Sequence, residues 1–157
     1  FCPVMRLHGY RMPYKPQQGT TGGAACTSGA DNEIWSYGED TYEIMKSYIE
    51  LRERMRPYIR RIMEQAHEKG TPVMRPLFYD FPADKTVWGN ESEYMFGPDI
   101  LVAPVMEAGQ TEKEVYLPEG STWTLHWTGE TFQGGRTITV PAPISQIPVF
   151  ERDSFRI

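Results

Sequence analysis

The sequence predicts an α/β segment that is followed by an all-β domain. The first part of the chain runs through an apolar stretch, a long glycine-rich stretch, an amphipathic helix and a second apolar stretch. From about residue 94, short β-rich runs alternate with turn residues, and no helical pattern occurs after residue 90. Such a change of pattern indicates two units of different class. We therefore predict one domain over 1–90 and a second over 91–157.

The α/β segment starts with an apolar run, residues 1–8, which we interpret as a buried strand. Because natural N-termini are usually polar, we read this start as a cut through a larger protein. Residues 9–34 form a long irregular stretch, of the length that functional loops have.

Asp40 is then a good N-cap, and Glu43 completes a pattern that resembles a capping box.

A strong helix follows, with apolar residues at helical spacing from Ile44 to Ala66. Pro57 should kink this helix or start a second one, since proline removes one backbone hydrogen bond. Gly70 and Pro72 mark its end. The apolar run 73–79 has the length of a strand. The order strand, loop, helix, strand predicts a βαβ unit with parallel strands.

The second domain is predicted to be antiparallel. Trp123, Leu125 and Trp127 alternate with polar residues, which is the pattern of strands with one buried face. Turn residues such as Gly129 separate the runs. The β-rich runs are Ile100–Met106, Glu114–Leu117, Thr122–Trp127, Thr137–Val140 and Ile147–Phe150.

Composition narrows the possible partners. The formal net charge is −5 at pH 7, and no run is apolar enough to span a bilayer. An acidic chain without a basic stripe argues against nucleic acid and against an anionic membrane surface. Cys2 and Cys26 are too few for a disulfide framework, and whether they pair stays open. No cysteine or histidine pair has the spacing of metal ligands.

Six strings resemble glycoside hydrolase family 31, in the order in which that family has them. Residues 1–9 resemble the Arg-x-His segment after its seventh barrel strand. Residues 33–38 resemble the segment that enters the next barrel helix, and 51–59 resemble that helix itself. Residues 72–78 resemble its eighth strand. Residues 94–105 resemble the opening of its first C-terminal sandwich. Residues 142–150 resemble the final strand of that sandwich.

The resemblance implies a fold and a reaction. The fold would be the last βα units of a (β/α)8 TIM barrel over 1–90, then an antiparallel β-sandwich over 91–157. Members are retaining α-glycosidases, of α-glucosidase or α-xylosidase type, that use two aspartates. Their motifs lie upstream in the family, so this segment alone should be inactive and should need the rest of the barrel. The partner implied is an α-linked oligosaccharide or glycoside, with no metal and no cofactor.

Three residues are candidates for substrate binding. His8 would follow a barrel strand, and the matching family histidine contacts a sugar hydroxyl; a satisfied core histidine is the alternative. Arg6 lies two residues earlier, on the same face, and would either brace the pocket or form a structural ion pair. Trp35 would either offer an aromatic face to a sugar or pack under the helix.

The remaining candidates are interpreted as structural. We expect Arg75 to form an ion pair and Trp123 and Trp127 to be core residues rather than a surface sugar platform. His67 and His126 are predicted at the surface.

Two other readings stay open. Since the segment carries no catalytic pair, the chain is alternatively a non-catalytic carbohydrate-binding or structural module. The same fold would also serve a transglycosidase or an α-glucan lyase. The upstream sequence and product analysis would separate these readings.

Overall fold

The computed structural model describes residues 1–5, 17–18, 25–26 and 34–157 of the chain. The chain divides into two compact units, Val4–Glu53 and Phe1–Pro3 with Arg54–Ile157. Residues 1–5 contain no strand, so that part of the predicted first strand is wrong. No helix within the described ranges combines the length and apolar character needed to cross a membrane.

The unit Val4–Glu53 contains a short antiparallel pair and most of a helix. Strand β1, Gln17–Gln18, pairs with β2, Ala25–Cys26, inside the stretch predicted to be irregular. A 3-10 helix, Ile34–Tyr37, precedes α1, Glu39–Arg54.

The prediction of Asp40 as N-cap is wrong, because Asp40 is inside the first turn of α1. The carbonyl of Gly38 accepts the first helical hydrogen bond, from Tyr42 N at 2.9 Å. Gly38 has φ +90°, a conformation that glycine adopts without strain.

The predicted interruption at Pro57 is confirmed as a new helix rather than a kink. Helix α2 spans Arg56–Lys69, and Pro57 stands in its first turn, where a missing N–H has no cost. Gly70, at φ +69°, ends α2 in the left-handed conformation. The helix stop inferred from glycine and proline is therefore confirmed.

The strand predicted over 73–79 is wrong beyond Arg75. Strand β3 is only Met74–Arg75, and it pairs antiparallel with β4, Tyr94–Phe96. Pro76 has no N–H to continue a ladder, and the short helix α3, Leu77–Asp80, follows it. The pairing that the structure gives this segment is thus antiparallel, where we predicted a parallel one.

The prediction of an antiparallel β domain is confirmed. A six-stranded sheet has the order β3-β4-β5-β10-β7-β8, and a second sheet pairs β6 with β9, all antiparallel. The bounds of the remaining strands are β5 Ile100–Val102, β6 Glu112–Leu117, β7 Thr122–Leu125, β8 Thr131–Gln133, β9 Arg136–Pro141 and β10 Val149–Arg152. A 3-10 helix, Lys85–Gly89, leads into the six-stranded sheet.

The hydrophobic core lies between the two sheets. Val115 and Leu117 of β6 and Val140 of β9 pack into one cluster with Trp123 and Phe150 of the larger sheet. Period-2 alternation in β6 buries Val115 and Leu117 and turns Glu112 and Glu114 outward.

Helix α2 packs on the larger sheet near the β4–β5 turn. Tyr58 donates a 2.7 Å hydrogen bond to the carbonyl of Phe96, and its ring lies edge-on to that of Phe96. Burial raises the pKa of the Tyr58 hydroxyl. Arg61 forms a 2.9 Å ion pair with Asp99 beside this contact.

Candidate functional site

The structure describes one of the three predicted sugar-contacting residues. His8 and Arg6 lie outside the described residues, and their roles stay predictions. Trp35 belongs to the 3-10 helix before α1, and its side chain is 70% exposed. Both readings of Trp35, a sugar contact and packing under the helix, stay predictions.

Arg75 forms the predicted structural ion pair. Its guanidinium lies 3.3 Å from Asp80 Oδ1; Arg75 is buried and Asp80 is largely buried. The centre of the Tyr79 ring lies 5.3 Å from the guanidinium carbon. Burial raises the pKa of the Asp80 carboxyl, and Arg75 and Arg152 oppose that shift. The pair joins β3 to the end of α3, so it fastens the segment that leaves the sheet.

Of the two tryptophans predicted to be core residues, Trp123 is one, and Trp127 is partly buried against the core. Trp123 is fully buried, and its indole N–H donates to the Pro118 carbonyl at 3.0 Å. Trp127 packs against the core cluster and donates to the carbonyl of Ile147 at 2.6 Å. Strand β7 ends at Leu125, so Trp127 lies just past it rather than within it.

The prediction of two surface histidines is half wrong. His67 is exposed on α2, but the His126 side chain is largely buried and its Nδ1 lies 2.7 Å from Glu151 Oε1. The carboxylate of Glu151 also accepts a 3.1 Å hydrogen bond from the N–H of Ile157. It forms an ion pair with Arg156 as well. This cluster holds the last residues of the described chain to β10.

Asp84 organises the segment that leads into the sandwich. Its Oδ2 accepts hydrogen bonds from the Tyr116 hydroxyl at 2.7 Å and the Glu119 N–H at 3.1 Å. Its Oδ1 accepts from Thr86 N at 3.0 Å, which caps the 3-10 helix. Burial opposes ionisation, but these donors outweigh it and hold the pKa of Asp84 below its usual range.

Sequence reasoning missed a polar cleft beside that segment. The cleft has a volume of about 430 Å³ and is lined by residues 89–93 and by parts of β6 and β9. Glu93 is 6% exposed; its Oε1 accepts from the Tyr116 N–H at 2.9 Å, but its Oε2 has no hydrogen-bond partner among the described residues. No periodic signal marks Glu93, because its burial depends on β6 folding against residues 90–93.

An exposed aromatic pair, Phe78 and Trp88, precedes the cleft residues in the sequence. The rings of Phe78 and Trp88 stack at 4.9 Å with an interplanar angle of 11°. Trp88 is 59% exposed, and its indole N–H donates to the Pro82 carbonyl at 3.2 Å, which fixes the ring. Within the described ranges, no three histidine, cysteine, aspartate or glutamate residues gather as a metal site would require. The residues that line the cleft offer both hydrogen-bond donors and acceptors.

Comparison with known proteins finds one matching family model and several relatives that are named for the sugars they act on. The model of the glycosyl hydrolase family 31 C-terminal domain matches residues 70–154. Alpha-xylosidase A of Aspergillus niger is 40% identical over 98% of this chain and 22% of its own length. The isomaltosyltransferase of Sporosarcina globispora is 34% identical over 96% of this chain and 13% of its own length.

A solved structure of the same family is similar to this chain. A family 31 α-xylosidase from a soil metagenome, complexed with xylose, superposes with a TM-score of 0.86 at 55% identity. The match covers 98% of this chain and 23% of that one. The chain therefore spans about a fifth of the length of its α-xylosidase relatives.

Proposed function

Because this chain belongs to glycoside hydrolase family 31, we propose that the protein containing it is a retaining α-glycosidase that cleaves α-xylosides or α-glucosides. One observation carries the proposal: the chain is 55% identical, over nearly its whole length, to an α-xylosidase complexed with xylose. That similarity favours an α-xyloside as the better substrate. The two catalytic aspartates that the family resemblance implies would lie upstream of Phe1.

In this proposal the chain is divided as its sequence suggests. Residues 1–90 would complete the (β/α)8 barrel, and residues 91–157 would be the sandwich behind it. His8 and Arg6 would follow a barrel strand and reach the sugar, and Trp35 would offer an aromatic contact. The reaction would be a double displacement through an aspartyl intermediate, which needs no metal and no cofactor.

The test uses the intact protein with an aryl α-xyloside and an aryl α-glucoside. We expect hydrolysis of the xyloside at the higher kcat/KM, with the α-anomer of xylose released first, as shown by proton NMR. Release of the β-anomer, or no turnover of either glycoside, would contradict the proposal. The 157-residue chain alone should give no turnover, since binding contacts without nucleophile and acid do not lower the barrier enough.

Transglycosylation is the second candidate, and the similarity to an isomaltosyltransferase favours it. Both reactions share a glycosyl-enzyme, which is attacked by water in one and by a sugar hydroxyl in the other. Adding a sugar acceptor to the assay separates them. A dominant transfer product at millimolar acceptor would make the protein a transglycosidase, and free xylose or glucose would make it a hydrolase.

A further inference from the structure

Tyr116 of β6 is held at two of its atoms by carboxylates from one connecting segment. Asp84 Oδ2 accepts a 2.7 Å hydrogen bond from the Tyr116 hydroxyl, and Glu93 Oε1 accepts a 2.9 Å hydrogen bond from its backbone N–H. Asp84 and Glu93 stand at the two ends of residues 84–93, which lie between α3 and β4. We propose that residues 84–93 form a clasp on β6 that mild acid tightens and that strong acid and neutral pH both loosen.

The Asp84 end of the clasp needs an ionised carboxylate. Asp84 accepts hydrogen bonds from the Tyr116 hydroxyl and from the N–H groups of Glu119 and Thr86. Burial opposes ionisation, but these donors outweigh it and lower the pKa of Asp84. Because the folded pKa is lowered, the contribution of this end is present above the ordinary value of about 3.9 and is lost in stronger acid. Burial, and next the bond to Asp84, raise the pKa of Tyr116, so its hydroxyl remains a donor throughout.

The Glu93 end of the clasp has the opposite preference. Glu93 is buried, and its Oε2 has no hydrogen-bond partner among the described residues. Burial raises the pKa of Glu93, and the Asn90 side chain, the Tyr116 N–H and the charge of Lys113 offset only part of that shift. Because the folded pKa is raised, the contribution of this end is fully present below the ordinary value of about 4.3. It is lost as pH rises through the raised pKa.

The charged groups that face Glu93 come from its own segment and from β6. Among the described residues that line the cleft, Lys113 is the only cation, and it favours the ionised form of Glu93. Glu91 and Glu114 line the cleft as exposed carboxylates, whose effect water and salt screen. The residue that β9 contributes, Thr137, is uncharged. Burial is therefore the larger effect, and the protonated form of Glu93 is the one that suits this position.

The two ends of the clasp contribute together only in a narrow range of pH. That range lies between the two ordinary pKa values, at about pH 4. As pH rises toward neutrality the contribution of Glu93 falls while that of Asp84 stays, so the clasp should loosen first at the end next to β4. Mild acid would thus strengthen the attachment of this segment to β6, although acid usually weakens a protein that ionised carboxylates stabilise.

The test compares the intact protein with its Glu93→Gln variant by amide hydrogen exchange over residues 112–119. Glutamine keeps an oxygen for the Tyr116 N–H and stays neutral at every pH, so it imitates the protonated carboxyl. At pH 7 we expect exchange at Tyr116 to be several-fold slower in Glu93→Gln than in wild type, and at about pH 4 we expect the two to exchange alike. Equal exchange at pH 7, or the same difference at both pH values, would overturn the proposal.

Two further variants distinguish the clasp from a general effect of charge. Glu91→Gln removes an exposed carboxylate from the same segment, so it should exchange as wild type at both pH values. Asp84→Asn breaks the other end, so at pH 7 exchange should become faster over residues 86–93 and 112–119 together. Faster exchange in only one of these two segments would show that they do not open as one clasp. A change in Glu91→Gln equal to that in Glu93→Gln would refute the role of Glu93.

Discussion

The hydroxyl of Tyr58 lies against Gly97, at a place where any other residue would put its Cβ. Such a Cβ would overlap Tyr58 Oη and lie 2.9 Å from Cγ2 of Ile62. The missing side chain lets Tyr58 reach the Phe96 carbonyl, so one glycine determines how closely α2 packs on the sheet.

Gly97→Ala should therefore destabilise the fold severely. The new methyl would force Tyr58 away from the carbonyl of Phe96, and Gly97 has φ +64°, which strains alanine. We expect a loss of about 2–4 kcal/mol in unfolding free energy, measured by denaturant titration. Gly109→Ala is the control, because Gly109 also has positive φ but no neighbour within 4 Å. It should lose only about 1 kcal/mol; equal losses would mean that backbone strain, and not overlap with Tyr58, is responsible.

Asp84→Asn should weaken the fold and change its acid sensitivity. The pKa of Asp84 is lowered in the folded state, so its ionised form contributes stability that is fully present above the ordinary value of about 3.9. This contribution is lost as pH falls through the depressed pKa. At pH 7 we expect Asp84→Asn to cost about 1–3 kcal/mol, with a shallower loss of stability below pH 4 than wild type shows.

Tyr116→Phe is the matched variant for Asp84→Asn, because it removes only part of the hydrogen bonding to Asp84. It removes one of the donors to Asp84 and leaves the N–H groups of Glu119 and Thr86 in place. It should cost less than Asp84→Asn and keep most of the acid dependence. The account of Asp84 is wrong if thermal unfolding between pH 2 and pH 7 is the same for Asp84→Asn and wild type.

The variants Trp123→Ala and Trp35→Ala should differ in how much unfolding free energy they lose. Trp123 is fully buried, whereas Trp35 is 70% exposed. Emptying the core site should cost about 3–5 kcal/mol, measured by denaturant unfolding. Trp35→Ala should stay within about 0.5 kcal/mol of wild type. A large loss from Trp35→Ala would assign that indole a packing role and remove it from the candidate sugar contacts.

His8→Ala in the intact protein should impair catalysis more than folding. Loss of a contact to a substrate hydroxyl in a desolvated site costs about 2–4 kcal/mol of transition-state binding, so kcat/KM should fall roughly 30- to 1000-fold. The measurement is steady-state hydrolysis of the aryl α-xyloside. His67→Ala, at an exposed histidine of α2, should leave kcat/KM unchanged. Near-normal kcat/KM in His8→Ala, or a loss traced entirely to unfolding, would make His8 a structural histidine.

The sequence by itself determined those elements whose signals lie in single residues or in a few neighbouring ones. Pro57 and Gly70 mark the start and end of α2 because a missing N–H and a left-handed φ are properties of single residues. The burial of Trp123 and Val140 follows from period-2 alternation, which any strand with one buried face requires. Six strings in family order were enough to predict the family, which the match over residues 70–154 confirms.

Only the tertiary structure decided which distant groups meet. The partner of Met74–Arg75 is a strand some twenty residues later, and Pro76 then turns the chain into α3 where an apolar run had suggested more strand. His126 is largely buried, and its Nδ1 lies 2.7 Å from Glu151, which is across the β7–β10 pair. The burial of Glu93 likewise depends on β6. Propensity and spacing report on a few neighbouring residues, whereas burial and hydrogen-bond partners depend on contacts that form when the sheets assemble.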